Sequence, residues 1–87
     1  MSKLRTNVAI YSIAYHIGKK IFFAGLANGK IEVYDIKGLS IIDTISAHSD
    51  IVARVRFSHN TKYIASLAID GVIKIWNPDK FELYRTF

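Results

Sequence analysis

Eighty-seven residues suffice for one small domain at most. An apolar fraction of 51% excludes a wholly disordered chain, and the absence of cysteine excludes a disulfide framework or a thiolate metal site. The charge of +5, from 12 Lys and Arg against 7 Asp and Glu, favours acidic partners, yet it is spread through turns and is too mild to mark a dedicated nucleic-acid binder.

Short apolar runs broken by Gly, Asn, Asp and Pro predict strands in chain order. The first four lie near Val8–Tyr15, Lys20–Ala24, Lys30–Ile36 and Ile41–Ser46. The next four lie near Val52–Phe57, Lys62–Leu67, Val72–Trp76 and Phe81–Thr86. Gly18-Lys19 and Asn60-Thr61 mark the first turn of each set, Asn28-Gly29 and Asp70-Gly71 the second, and Lys37-Gly38 and Pro78-Asp79 the third. No stretch sustains helical periodicity. No apolar run reaches the roughly 18–20 residues of a membrane span, and Met1–Thr6 lacks the features of a signal peptide. An intracellular site, cytoplasmic ahead of nuclear, is the expectation.

The two sets are one message repeated. A step of 42 residues carries Gly29 to Gly71, Ile13 to Val55, Tyr15 to Phe57, Ile31 to Ile73, Val33 to Ile75 and Tyr34 to Trp76. A repeat of this length marks one supersecondary unit that cannot bury its own apolar faces. The strands are apolar on both sides: Ile31 and Val33 oppose Tyr34 and Ile36, as Ile73 and Ile75 oppose Trp76. Such a sheet needs a neighbour on each face, a demand met by radially packed four-stranded sheets. The expected fold is all-β, with two four-stranded antiparallel blades in units of about 8–46 and 50–87.

The second unit reads Ala47-His48-Ser49-Asp50, Val52…Val55…Phe57-Ser58, Ile64-Ala65-Ser66, Asp70-Gly71 and Ile73-Lys74-Ile75-Trp76-Asn77. This pattern resembles the WD-repeat β-propeller family over essentially Val8 to Phe87, more fully in the second unit than in the first. The resemblance implies a hydrogen-bonded structural network at His48, Ser66, Asp70 and Trp76. It also implies a non-catalytic scaffold that holds a protein partner on loop ends or the ring rim. Three departures stand out: Ala47 where the family prefers Gly, His59 where it often has Pro, and Asn77 for the Asp of the name-giving pair. In the first unit Thr6, Ala24, Asn28 and Tyr34 occupy the network positions, so that unit is expected to rest on apolar packing.

His48, Asp70 and Ser66 also invite an acyl-transfer reading, but Ser66 sits inside an apolar strand and not on a nucleophile elbow. No catalytic residue and no cofactor is assigned. His16, His48 and His59 show no metal-ligand spacing, so no metal is expected. The polar pair that stands out is Arg54 and Arg56, on one face of an inner strand where the first unit has Ser12 and Ala14. Two guanidiniums cannot be buried there unpaired. Snorkelling into a central channel, pairing with acidic residues of another blade or partner, and phosphate contact all remain open. Candidate partner contacts are Arg54, Arg56, Lys19, Lys20, Tyr11 and Tyr84. The expected partners are a protein or other propeller-forming chains, with no membrane. Nucleic acid is the weaker alternative, as in a basic component of a ribonucleoprotein assembly; it requires Arg54, Arg56, Lys19, Lys20 and Lys62 to share one surface.

Two units fall short of the 4–8 blades of a typical propeller. A segment of a longer propeller, a ring completed by other chains and a free-standing double blade are all open. Met1 points to a genuine N-terminus, whereas a leading strand confined to Leu4–Thr6 points the other way.

Overall fold

A computed structural model describes residues 8–16 and 18–87. Thr6 and the Leu4–Thr6 strand therefore lie outside the described residues. Eight strands follow one another: β1 (Ile10–His16), β2 (Ile21–Leu26), β3 (Lys30–Asp35), β4 (Ile41–Ser46), β5 (Val52–Phe57), β6 (Ile64–Ala68), β7 (Ile73–Asn77) and β8 (Glu82–Thr86). They form two antiparallel sheets, β1-β2-β3-β4 and β5-β6-β7-β8, each in sequence order. β4 and β5 occupy the expected spans, and the other strands differ from expectation by one or two residues at their ends.

The 42-residue step extends to backbone detail. Register shifts fall between Ile10 and Ser12 on β1 and between Val52 and Arg54 on β5. A second pair falls between Val33 and Tyr34 and between Ile75 and Trp76. Leu39 and Phe81, also one step apart, both have positive φ (52° and 57°). Gly29 and Gly71 have φ of 85° and 90°, which the second turn of each blade needs and which glycine supplies without strain.

The two sheets stack face to face. Side-chain alternation sends Ser12, Ala14, Phe23, Ile31 and Val33 of the first blade toward the second, which answers with Val52, Val55, Ile64 and Trp76. Phe23 is fully buried between Phe57 and Phe81, with edge-to-face centroid distances of 5.5 and 5.9 Å. The blades are also pinned by polar contacts. Val55 N donates to Ser12 Oγ (3.2 Å), and His48 N donates to Gly29 O (2.8 Å). Lys19 pairs with Asp79 across the outer turns. The reverse face of the first blade buries Phe22, Ala24, Leu26 and Tyr34, with Val8, Ile10 and Leu39 packed against them.

Apolar packing is expected to hold the first blade in the main, and one polar contact adds to it. The Tyr34 hydroxyl donates to Glu32 Oε1 at 2.6 Å, and its ring stacks on Phe22 at 5.0 Å. Burial, aided by the neighbouring Glu32 carboxylate, pushes the Tyr34 phenol up to about 12.

Candidate functional site

The polar network of the second blade grows from alternation on two neighbouring strands. Ser66 on β6 and Trp76 on β7 both point at the first blade and are buried. Trp76 Nε1 donates to Ser66 Oγ (2.8 Å), and Ser66 Oγ lies 2.7 Å from His48 Nε2. Ser66 Oγ thus accepts from the indole, and the direction of its bond with His48 Nε2 is set by the imidazole tautomer. The His48 pKa lies below its ordinary value, first because burial opposes the charge and then because Lys74 repels it; Asp70 acts in the opposite direction.

Three of the four sequence-assigned members thus meet at one hydroxyl, and Asp70 stands apart. It is exposed on the β6–β7 turn, where its Oδ1 accepts from Val72 N (3.1 Å). It reaches His48 through its charge. Lys74 was missed by sequence reasoning. Its Nζ donates to Ala47 O (2.6 Å), which places a cation beside His48. The signal was available, because Lys74 shares the parity of Trp76 on β7.

A second feature lies along the two inner strands. β1 and β5 run side by side and line a hollow of about 580 Å³ that includes Tyr11, Tyr15, Arg54 and Arg56. Both arginines are exposed, and they also border a smaller hollow of about 180 Å³ with Leu67 and Ile73 on the outer face of the second blade. Tyr84 is far from this groove in the topology. It lies on the last strand, 5.2 Å from the Tyr63 ring, with the Arg85 guanidinium over it at 5.9 Å.

The basic residues do not converge on one surface as the nucleic-acid reading required. Arg54 and Arg56 lie within β5, on a sheet face, whereas Lys19, Lys20 and Lys62 lie at the turns that follow β1 and β5. The antiparallel order brings the β3–β4 and β7–β8 turns to that same end, adding Lys37 and Lys80. All five lysines are exposed. His16 is absorbed by packing: its ring meets Phe57 edge-on at 5.2 Å, and its Nδ1 accepts from Lys19 N (3.3 Å). Among the described residues no group of three His, Cys, Asp or Glu is placed to hold a metal, and no helix is long and apolar enough to cross a membrane.

Residues 39–77 match the WD domain, G-beta repeat family. Those residues form a WD repeat, and both sheets have the fold of WD40-like blades. The WD40-repeat structure of RRP9 superposes with a TM-score of 0.89 at 21% identity, over 97% of this chain and 27% of the other. A structure of U3-55K gives the same score and identity, over 97% and 28%. At that identity the likeness shows the fold: two four-stranded antiparallel WD40-like blades, consistent with part of a larger propeller. Among curated proteins, pre-mRNA-processing factor 19 homolog 2 of Arabidopsis thaliana is 26% identical over 81 residues, 93% of this chain and 15% of its own length. Pre-mRNA-processing factor 19 of Oryza sativa subsp. japonica is 29% identical over 75 residues, 86% of this chain and 14% of its own length. The WD chain thus spans about one-seventh of these relatives. WD-repeat propellers are characteristically non-catalytic scaffolds.

These relatives correct one expectation. The curated relatives are named for pre-mRNA processing, which overturns the preference for a cytoplasmic site.

Proposed function

We propose that this chain supplies two blades of a WD-repeat propeller that scaffolds an RNA-processing or ribonucleoprotein assembly. Units of about 8–46 and 50–87 are its blades, and His48, Ser66 and Trp76 lock the second blade against the first. The observation that carries the reading is the lysine rim. Lys19, Lys20, Lys37, Lys62 and Lys80 lie exposed on turns at one end, and Asp79 neutralises Lys19 there. Among the described residues the opposite end carries Asp50 and Asp70 beside Lys30, so the described parts of the two ends differ in charge. Several lysines on one rim attract an anionic surface at long range and contact phosphate without reading sequence. The names of the relatives supply the RNA-processing context.

The test is sedimentation of the tagged protein in extract from its source cells. The expected result is co-migration with RNA-containing particles, lost on nuclease treatment and weakened by Lys37→Glu/Lys62→Glu/Lys80→Glu. Migration that ignores both nuclease and charge reversal would refute the RNA-assembly reading.

A further inference from the structure

The 42-residue step gives each side chain of the first blade a counterpart pointing the same way on the second. In the first blade the face bearing Ser12, Ala14, Phe23, Ile31 and Val33 is covered by the second blade. The matching face of the second blade bears Arg54, Arg56, Ala65, Ile73 and Ile75. Among the described residues nothing covers it: Ile73 is 38% exposed, and Arg54, Arg56, Leu67 and Ile73 border an open hollow. Toward the β8 edge the face continues through Ile75, Arg85 and Phe87, which is 67% exposed. This face continues the inter-blade interface already formed once within the molecule.

One change separates the two faces. Where small Ser12 and Ala14 let β5 approach β1 closely enough for Val55 N to bond Ser12 Oγ, the second blade presents two guanidiniums. A blade docked there in the same manner covers the apolar residues and brings its inner strand against Arg54 and Arg56. A guanidinium enclosed without a partner is strongly disfavoured, so an acidic inner strand fits this face better than a neutral one, which would leave the arginines only the open hollow beside β1. A second copy of this chain offers no such strand. Its matching surface is Tyr11, Ile13 and Tyr15 on β1, a strand (IYSIAYH) with no carboxylate. A nucleic acid would satisfy the arginines and leave the adjoining aliphatic face uncovered.

We therefore propose that the outer face of the second blade receives a further β-blade, from outside these 87 residues, whose inner strand carries Asp or Glu opposite Arg54 and Arg56. The inference rests on the propeller reading and is independent of whether the assembly contains RNA.

The experiment places Arg54→Lys/Arg56→Lys in the intact protein within its native assembly. Zero-length carbodiimide coupling is followed by mass spectrometry of the linked peptides. The expected product joins position 54 or 56 to an Asp or Glu in a β-strand peptide foreign to this chain. Links only to this chain's own carboxylates would assign the face to a second copy. Adducts only to nucleic acid would assign it to phosphate, and absence of any link at these positions would remove the acidic strand; each overturns the proposal. A companion variant, Arg54→Ser/Arg56→Ala, copies the residues of the first blade. It is expected to weaken assembly at least about tenfold at low salt and by much less at high salt, with an unchanged melting curve for the isolated chain. Equal affinity at both salt concentrations would refute the charged contact. A nuclease-resistant assembly that still gives the link would sink the RNA reading and keep this one.

Discussion

Ser66→Ala tests the centre of the polar network. The substitution removes one oxygen and leaves Cβ in place, so packing changes little. It orphans two groups: the buried Trp76 indole N–H, now 2.8 Å from its acceptor, and the half-buried His48 Nε2, now 2.7 Å away. An unsatisfied buried donor costs about 1–3 kcal/mol. His48 can recover part of its loss from solvent, so the indole dominates and the sum comes to about 2–3 kcal/mol. For a domain of this size that is a fall of roughly 10–20 °C in melting temperature. Thermal and urea unfolding followed by circular dichroism reads it, and fluorescence of Trp76, the single tryptophan, reports on the network itself. Trp76→Phe removes the indole donor, so Ser66→Ala/Trp76→Phe should be less destabilised than the two single changes summed. An unchanged midpoint and slope for Ser66→Ala, or strict additivity in the pair, would refute the reasoning.

Four further outcomes are expected. Gly29→Ala should abolish cooperative folding, because a Cβ there would collide with the His48 carbonyl, whereas Gly71→Ala, with open space around it, should cost only the positive-φ penalty of about 1 kcal/mol; equal effects in urea melts would contradict this. The His48 pKa is lowered on folding, so the folded chain binds fewer protons than the unfolded one: stability is full above about pH 6.5 and is lost as pH falls through the folded value, a slope that His48→Gln should flatten in pH-dependent melts. Ser66→Ala/Lys74→Glu/Trp76→Tyr transplants the Ala24, Glu32 and Tyr34 arrangement of the first blade, and its melting temperature should exceed that of Ser66→Ala/Trp76→Tyr without the new carboxylate. Phe23→Ala should cost about 3–5 kcal/mol by emptying the centre of the inter-blade core; a smaller loss in urea unfolding would mean the sheets reclose over the gap.

Most of the fold was legible because the repeat doubles every local signal. A lone run such as Val52–Phe57 is ambiguous, but the same pattern one step earlier, ending before an equivalent turn, fixes both as strands. Ser66 and Trp76 were brought together by the resemblance to the WD-repeat family, and the pairing of β6 with β7 then sets them on one face. Asp70 shows where that reasoning stops: a family pattern places it in the network, but its position on a turn lets its carboxylate serve Val72 N instead. Lys74 and the Tyr34–Glu32 bond were visible only as parity, since long flexible side chains choose partners by reach and not by register. The lysine rim was hidden for another reason. Its members are scattered along the sequence, and only the antiparallel order of both sheets gathers four separate turns at one end.

The step of 42 also explains why the two outer faces of the pair are chemically unequal. Tyr11, Ile13 and Tyr15 on one side correspond to Ala53, Val55 and Phe57, which are already engaged inside the molecule. Arg54 and Arg56 on the other correspond to Ser12 and Ala14, which are engaged as well. A tandem pair made of identical repeats would present mutually complementary ends and would stack on copies of itself, into a ring where the rotation closes and a filament where it does not. Placing two cations on one end and no inner-strand carboxylate on the other blocks that route. Like charge left unpaired on an otherwise apolar sheet face discriminates against the self-complex more strongly than any single added contact could favour the correct neighbour. The arginines thereby turn an interface that the repeat would make generic into one that selects its occupant.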